Sequence, residues 1–180
     1  MQPIIGLLYI ATGLLCDFVF VLFVGALVNI ARPELSLNSL LPPLFGIGPA
    51  LLVLTGVMDL AGKKPHRGVV TMIVTLIVIG GLAAWSIPRI GLRESLLLLV
   101  LPALGSYVVA SLLLVAIKTR WITALFGTIL SAPFFFYGAG TFAFDFFTGK
   151  AEYASSDAWI FLPCAALAVS FLAALTTRYK

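Results

Sequence analysis

Six long apolar runs constrain the fold of this chain more than any other feature of its sequence. A helix needs about 20 mostly apolar residues to cross the hydrocarbon core of a bilayer, and each run provides them. Because the runs are continuously apolar and do not alternate with polar residues, they predict helices and exclude the strands of a membrane barrel. The runs extend roughly over residues 3–31, 40–61, 68–87, 94–117, 121–147 and 158–177.

The composition leads to the same prediction. Of the 180 residues, 62% are hydrophobic and 10% are charged, whereas a soluble domain carries about 25% charged residues. A small globule buries only about 70% of its chain, so it has no place for this much apolar surface. We therefore predict an all-α polytopic membrane helix bundle, with residues 1–180 forming a single transmembrane domain.

The basic residues predict an orientation. If the N-terminus is cytoplasmic, the inner side carries seven of the 11 Lys and Arg residues and the outer side carries four. An excess of Lys and Arg in short loops marks the cytoplasmic side of a membrane protein. We expect both termini inside, in the cytoplasmic membrane of a prokaryote. The inner set is Lys63, Lys64, Arg67, Lys118, Arg120, Arg178 and Lys180, and the outer set is Arg32, Arg89, Arg93 and Lys150.

Asp17 is the most informative single residue, because it lies near the middle of the first apolar run. A carboxylate at the bilayer centre costs about 3 kcal/mol on insertion scales, so it faces the bundle interior or a water-filled cavity. One hypothesis is a proton or cation site. The alternative is a structural acid that joins helices by hydrogen bonds, with candidate partners Thr12, Thr55, Tyr107 and Thr128.

Two further acids are candidate ligand or ion sites. Asp59 lies at the inner end of the second run, four residues before Lys63, and that spacing favours an ordinary pair on the helix surface. Asp145 lies towards the outer end of the fifth run, where it either reaches the headgroup layer or lines an outward vestibule.

The fifth run is interrupted in a way that is typical of transport sites. Pro133 precedes an aromatic stretch ending at Tyr137, and Gly138 and Gly140 follow. A proline kinks a helix and frees carbonyls, while small residues let helices approach closely. We therefore include Tyr137 among the candidate ligand residues, and we expect a kink or close packing at the proline and the two glycines, and also at Pro49. The alternative is lipid-facing phenylalanine beside a packing glycine pair.

Several functions have no support in the sequence. The single histidine and the two isolated cysteines, Cys16 and Cys164, predict no metal site, no haem and no other cofactor. Motifs for hydrolases, zinc proteases and phosphate-binding loops are missing, which argues against an enzyme. Nucleic-acid motifs are missing as well.

Two main hypotheses of function follow, and they belong to different classes. The first is a transporter or channel component for a small solute or ion, working through Asp17. The second is a non-catalytic subunit of a larger membrane complex, and a third is an intramembrane enzyme acting on lipids. Expected partners are membrane lipids, with a homo-oligomer or a hetero-complex as further options, and no nucleic acid.

Overall fold

All regular structure in the described part of the chain is helical. The computed structural model describes residues 2–30, 41–61, 66–117, 119–132 and 154–177, and within them the predicted all-α class is confirmed. The helices are α1 (Gln2–Ile30), α2 (Leu41–Leu60), α3 (Arg67–Ile90), α4 (Leu92–Ala116), α5 (residues 120–132) and α6 (Ala154–Thr177).

The turn between α3 and α4 corrects one expectation. The third run was predicted to stop before Pro88, but α3 continues through this proline to Ile90. The chain breaks instead at Gly91, whose φ of 89° lies in the region that favours glycine. The Gly91 N–H still bonds to the carbonyl oxygen of Ile87 at 3.0 Å, and α4 begins at the next residue. The turn is therefore a single residue.

An irregular turn interrupts α4 near its start. Residues Leu96–Val100 are π-helical, and the N–H of Leu101 bonds back to the carbonyl oxygen of Leu96, five residues earlier. Pro102 follows directly and has no N–H to donate to Leu98. Such turns are rare and often lie at functional sites. This one contributes Leu99 to the cavity described below.

Helix α2 is the central element of the described bundle. Its residues Ala50, Leu51 and Leu52 are fully buried, and it packs against α1, α4 and α5. Glycines bring these backbones close together. A Cβ atom placed on Gly6 of α1 would lie 2.8 Å from the carbonyl oxygen of Gly56.

The same close approach recurs on the α5 side of α2. A Cβ on Gly48 would lie 2.9 Å from the carbonyl oxygen of Gly127. These separations are below any normal Cβ contact, so both interfaces depend on residues without side chains.

Hydroxyl groups link the helices at buried positions. The side chains of Thr12 (α1) and Ser170 (α6) lie 2.9 Å apart, and Thr55 (α2) donates to Thr123 (α5) at 3.2 Å. Ser86 and Ser95 form a further hydrogen bond across the α3–α4 turn. These buried hydroxyls are therefore paired, as buried polar groups normally are.

The outward surface of the described helices is apolar. On α3 the side chains of Met72, Leu76 and Ile77 are 61–68% exposed, and they share one face of the helix. Two of the described helices, α3 and α4, are long and apolar enough to cross a membrane. Shorter apolar stretches are found at Pro3–Val19, Gly46–Leu60 and Leu162–Thr177.

Candidate functional site

A cavity of about 350 Å³ lies between α1 and α3. Helices α2 and α4 complete its lining, and Gly46 of α2 leaves room there because it has no side chain. Most of the wall is aliphatic or aromatic, with Val78 and Leu82 from α3 and Leu99 from α4. The three polar side chains on the wall are those of Asp17, Tyr107 and Ser106.

Asp17 and Tyr107 form the polar centre of this cavity. The Tyr107 hydroxyl donates a hydrogen bond of 2.8 Å to Oδ2 of Asp17. Tyr107 of α4 is 2% exposed, and its side chain packs against buried residues of α2. Asp17 is half-buried, and it lines the cavity. The bond joins α1 to α4.

No basic side chain pairs with the Asp17 carboxyl group in the described part of the chain. Its hydrogen bond to Tyr107 is its one polar contact there, and the ion pair found among those residues lies elsewhere. The third polar group, the Ser106 hydroxyl, donates to the carbonyl oxygen of Pro102 in its own helix at 3.0 Å. The cavity therefore presents one carboxylate oxygen held by a tyrosine, in apolar surroundings.

The mouth of the cavity is apolar as well. Leu14, Phe18 and Trp85 line it and remain 45%, 54% and 42% exposed. These three residues lie on the outward faces of α1 and α3 and not at the loops. The cavity therefore opens sideways, between two helices.

A smaller polar cavity lies near the N-terminal end of α1. It has a volume of about 180 Å³, and Asp59 and Arg120 on its wall form an ion pair of 3.1 Å. The buried Tyr9 hydroxyl also faces this cavity, near Thr177, but it makes no hydrogen bond of acceptable geometry to any described side chain. The ion pair links α2 to α5. Tyr9 of α1 and Thr177 of α6 also line the cavity, so four helices meet there.

The structure separates the two candidate acids that it describes. Asp17 lines the larger cavity and Asp59 the smaller one. Among the described residues Asp59 pairs with Arg120, and Lys63, the partner expected from the sequence, lies outside them. The candidate positions Pro133, Tyr137, Gly138, Gly140 and Asp145 also lie outside them.

Pro49 contributes to packing between α1 and α2. It lies inside α2, and the helix continues on both sides of it. Its carbonyl oxygen would be 2.7 Å from a Cβ on Gly13 of α1. Pro49 therefore lies where the backbones of α1 and α2 approach closely.

Three residues of these cavities were not singled out as sites from the sequence. Tyr107 was proposed only as one of four possible partners of Asp17. Both residues lie near the middle of their helices, and this shared position was a signal that favoured Tyr107 as the partner. Trp85 was not among the candidate site residues, and Arg120 was counted only as a loop charge. No local pattern indicates that either of these two residues lines a cavity.

Metal chemistry has no support in the described part of the chain, where no group of three or more His, Cys, Asp or Glu side chains is placed to hold an ion. No protein-family model matches the chain, and neither a curated protein nor a solved structure is significantly similar to it.

Proposed function

We propose that this chain is a multi-pass membrane protein with six spans that transports a small solute or ion through the cavity at Asp17. Helix lengths support the membrane part of the proposal. At 1.5 Å per residue, α3 and α4 are about 36 Å long and α1 is about 43 Å long. A hydrocarbon core is about 30 Å thick, so each helix is long enough to span it, with tilt where needed.

The distribution of polarity supports the same proposal. Hydroxyl groups are buried and paired between helices, while Leu, Ile and Val side chains cover the outward faces. In water, so large an exposed apolar surface would be unfavourable by about 25 cal/mol for each Å². Lipid removes that cost, so the outward faces fit a bilayer.

The two ends of α3 fit a helix that crosses a bilayer. Arg67 lies at its inner end and Arg89 at its outer end, with Trp85 one turn earlier. The Arg89 guanidinium stacks 4.7 Å from the centre of the Trp85 ring and donates to the Trp85 carbonyl oxygen at 2.6 Å. Tryptophan and arginine are typical anchors at a membrane interface.

The hydrogen bond between Tyr107 and Asp17 is the observation that carries the transport proposal. A proton or a cation bound to the Asp17 carboxylate would weaken the oxygen as a hydrogen-bond acceptor. The link between α1 and α4 would loosen in response. Occupancy of the cavity is thereby coupled to the packing of two helices, which is what a transport cycle requires.

The test uses purified protein in liposomes that enclose a pH-sensitive dye. A potassium gradient with valinomycin drives protons inwards, and a second set of vesicles reports potassium flux directly. We expect flux of one of these ions at least about tenfold above empty vesicles, falling to background in Asp17→Asn. Glu94→Gln, which changes an exposed acid of α4 outside the cavity, should keep wild-type flux.

Two results would contradict the transport proposal. One is wild-type flux of both ions at the level of empty vesicles. The other is an Asp17→Asn variant that retains full flux while Glu94→Gln behaves as expected.

The exposed face of α3 favours a second candidate function. Its five large apolar side chains at Val69, Met72, Ile73, Leu76 and Ile77 would suit the surface of another membrane protein as well as lipid. The chain would then be a non-catalytic subunit of a larger complex. Native mass measurement after gentle extraction separates the two, since a stable hetero-complex supports the subunit and a lone chain or homo-oligomer supports the transporter.

A further inference from the structure

The acidic side chain of Asp17 sets the first requirement for a ligand of the larger cavity. The carboxylate accepts one hydrogen bond from Tyr107, and within the described residues no Lys or Arg pairs with it. A charge in apolar surroundings is unfavourable unless it is paired. A ligand that carries a positive charge supplies the missing partner, whereas an anion would add repulsion.

The number of oxygen atoms sets the second requirement. Calcium takes six to eight oxygen ligands, and magnesium demands near-ideal octahedral geometry. The wall offers only the two carboxyl oxygens of Asp17 and the hydroxyl oxygens of Tyr107 and Ser106. Protein oxygens alone would therefore leave a calcium or magnesium ion undercoordinated.

The rest of the wall suits the body of an organic molecule. Rings of Phe18, Trp85 and Tyr107 line the cavity together with aliphatic side chains. Aromatic faces attract organic cations, and about 350 Å³ falls in the size range of small-molecule sites. Arg89 covers part of the Trp85 ring, but its side chain is exposed and does not line the cavity.

The position of the mouth completes the description of the ligand. It lies between the outward faces of α1 and α3, where the rim residues Leu14 and Phe18 are apolar and exposed. On the proposed membrane arrangement this opening faces lipid. A ligand with an apolar body concentrates in lipid and reaches the cavity from the side.

We infer that the cavity binds an organic cation with an apolar body, its positive group beside Asp17 and its body against Trp85 and Phe18. This inference rests on the proposed function and names the substrate class of the same site. It excludes metal cations and organic anions as the preferred ligands, while a proton, which binds the same carboxylate, stays compatible with it.

The test uses Trp85 as a reporter inside the cavity. In a background with Trp121→Phe and Trp159→Phe, Trp85 is the one tryptophan that remains among the three of the sequence. Purified protein is titrated with benzyltrimethylammonium, and with benzenesulfonate as an anion of similar size. We expect a saturable change in Trp85 fluorescence with the cation and none with the anion.

Variants in the same background locate the binding. Asp17→Asn should weaken cation binding at least about tenfold, and Asp17→Glu should restore most of it because the charge returns. Ala103→Phe fills the cavity while leaving the acid in the sequence and should abolish binding. Glu94→Gln should bind as the parent does. Equilibrium dialysis of the same variants checks the affinities independently of fluorescence.

Three outcomes overturn the inference: equal affinity for the two ions, unchanged cation affinity in Asp17→Asn, or no saturable binding by the parent protein. Failure here is distinguishable from failure of the transport proposal. If ion flux still depends on Asp17 while benzyltrimethylammonium does not bind, the substrate class is wrong and the transport role stands. If Asp17-dependent flux is also missing, the transport role is wrong.

Discussion

The Tyr107 hydroxyl donates to the Asp17 carboxylate across a sequence separation of 90 residues. This bond places the one acid of the larger cavity at a contact between two helices. A ligand at Asp17 therefore acts on a structural link as well as on a charge.

The strength of this bond can be measured with a double-mutant cycle. Tyr107→Phe removes the donor and keeps the ring, so we expect a loss of about 1–3 kcal/mol in the free energy of unfolding. The coupling between Tyr107→Phe and Asp17→Asn should be about 0.6–2 kcal/mol, since hydrogen bonds between membrane helices are modest. Unfolding in mixed micelles gives the energies, and additive effects would show that the bond contributes nothing.

The glycine contacts of α2 give a second prediction, with a matched control. Gly56→Ala forces a methyl group against the backbone of α1, where Gly6 and Ile10 lie less than 3 Å from the new atom. We expect a loss of about 1–3 kcal/mol in unfolding free energy, typical of overpacking. Gly80→Ala on α3 meets nothing within 4 Å, and should be neutral or slightly stabilising because alanine favours helix.

A comparison of the two alanine variants decides the point. Equal effects on the free energy of unfolding would contradict the close packing of α1 on α2.

The Asp59–Arg120 ion pair should contribute little, and its contribution should depend on salt. The two side chains are 15% and 33% exposed, so solvent screens their attraction. We expect a coupling energy of about 0.5–1 kcal/mol between Asp59→Asn and Arg120→Gln. Thermal unfolding of the four proteins should show this coupling shrinking as salt rises. A coupling that does not change with salt would indicate a different cause.

The proposed orientation predicts which residues an impermeant reagent reaches. His66 and Arg93 lie beyond opposite ends of α3 and are both exposed. In intact cells, Arg93→Cys should react with a charged maleimide, and His66→Cys should react only after permeabilisation. The parent protein, with its native Cys16 and Cys164 in helices, is the control. Labelling of both variants from one side would exclude a single crossing by α3.

The positions of the helices were largely predictable because apolar runs of about 20 residues are a strong local signal. The exception at Pro88 has a local cause, since the turn depends on the positive φ of Gly91 and not on the proline. Partners of the acids were less predictable. Lys63 was the visible neighbour of Asp59, whereas Arg120 is 61 residues away and is brought close only by the packing of α5 on α2.

The cavity itself could not be predicted from the sequence. It arises where α1 and α3 leave a gap that is lined by Gly46 of α2. Such a gap depends on how whole helices pack. The sequence did single out Asp17, because an isolated acid inside an apolar run is unusual wherever it occurs.

The π-helical turn at Leu96–Val100 is the one place near Tyr107 where α4 can lose a residue without rotating the tyrosine. A π turn holds about one residue more than an α turn, so a deletion within these five residues would leave an ordinary α turn and keep Tyr107 facing Asp17. Each residue of an α-helix turns the chain by about 100°, so a deletion between this turn and Tyr107 would swing the tyrosine away from the acid. Two chains that are each one residue shorter could therefore differ in whether they keep the polar centre.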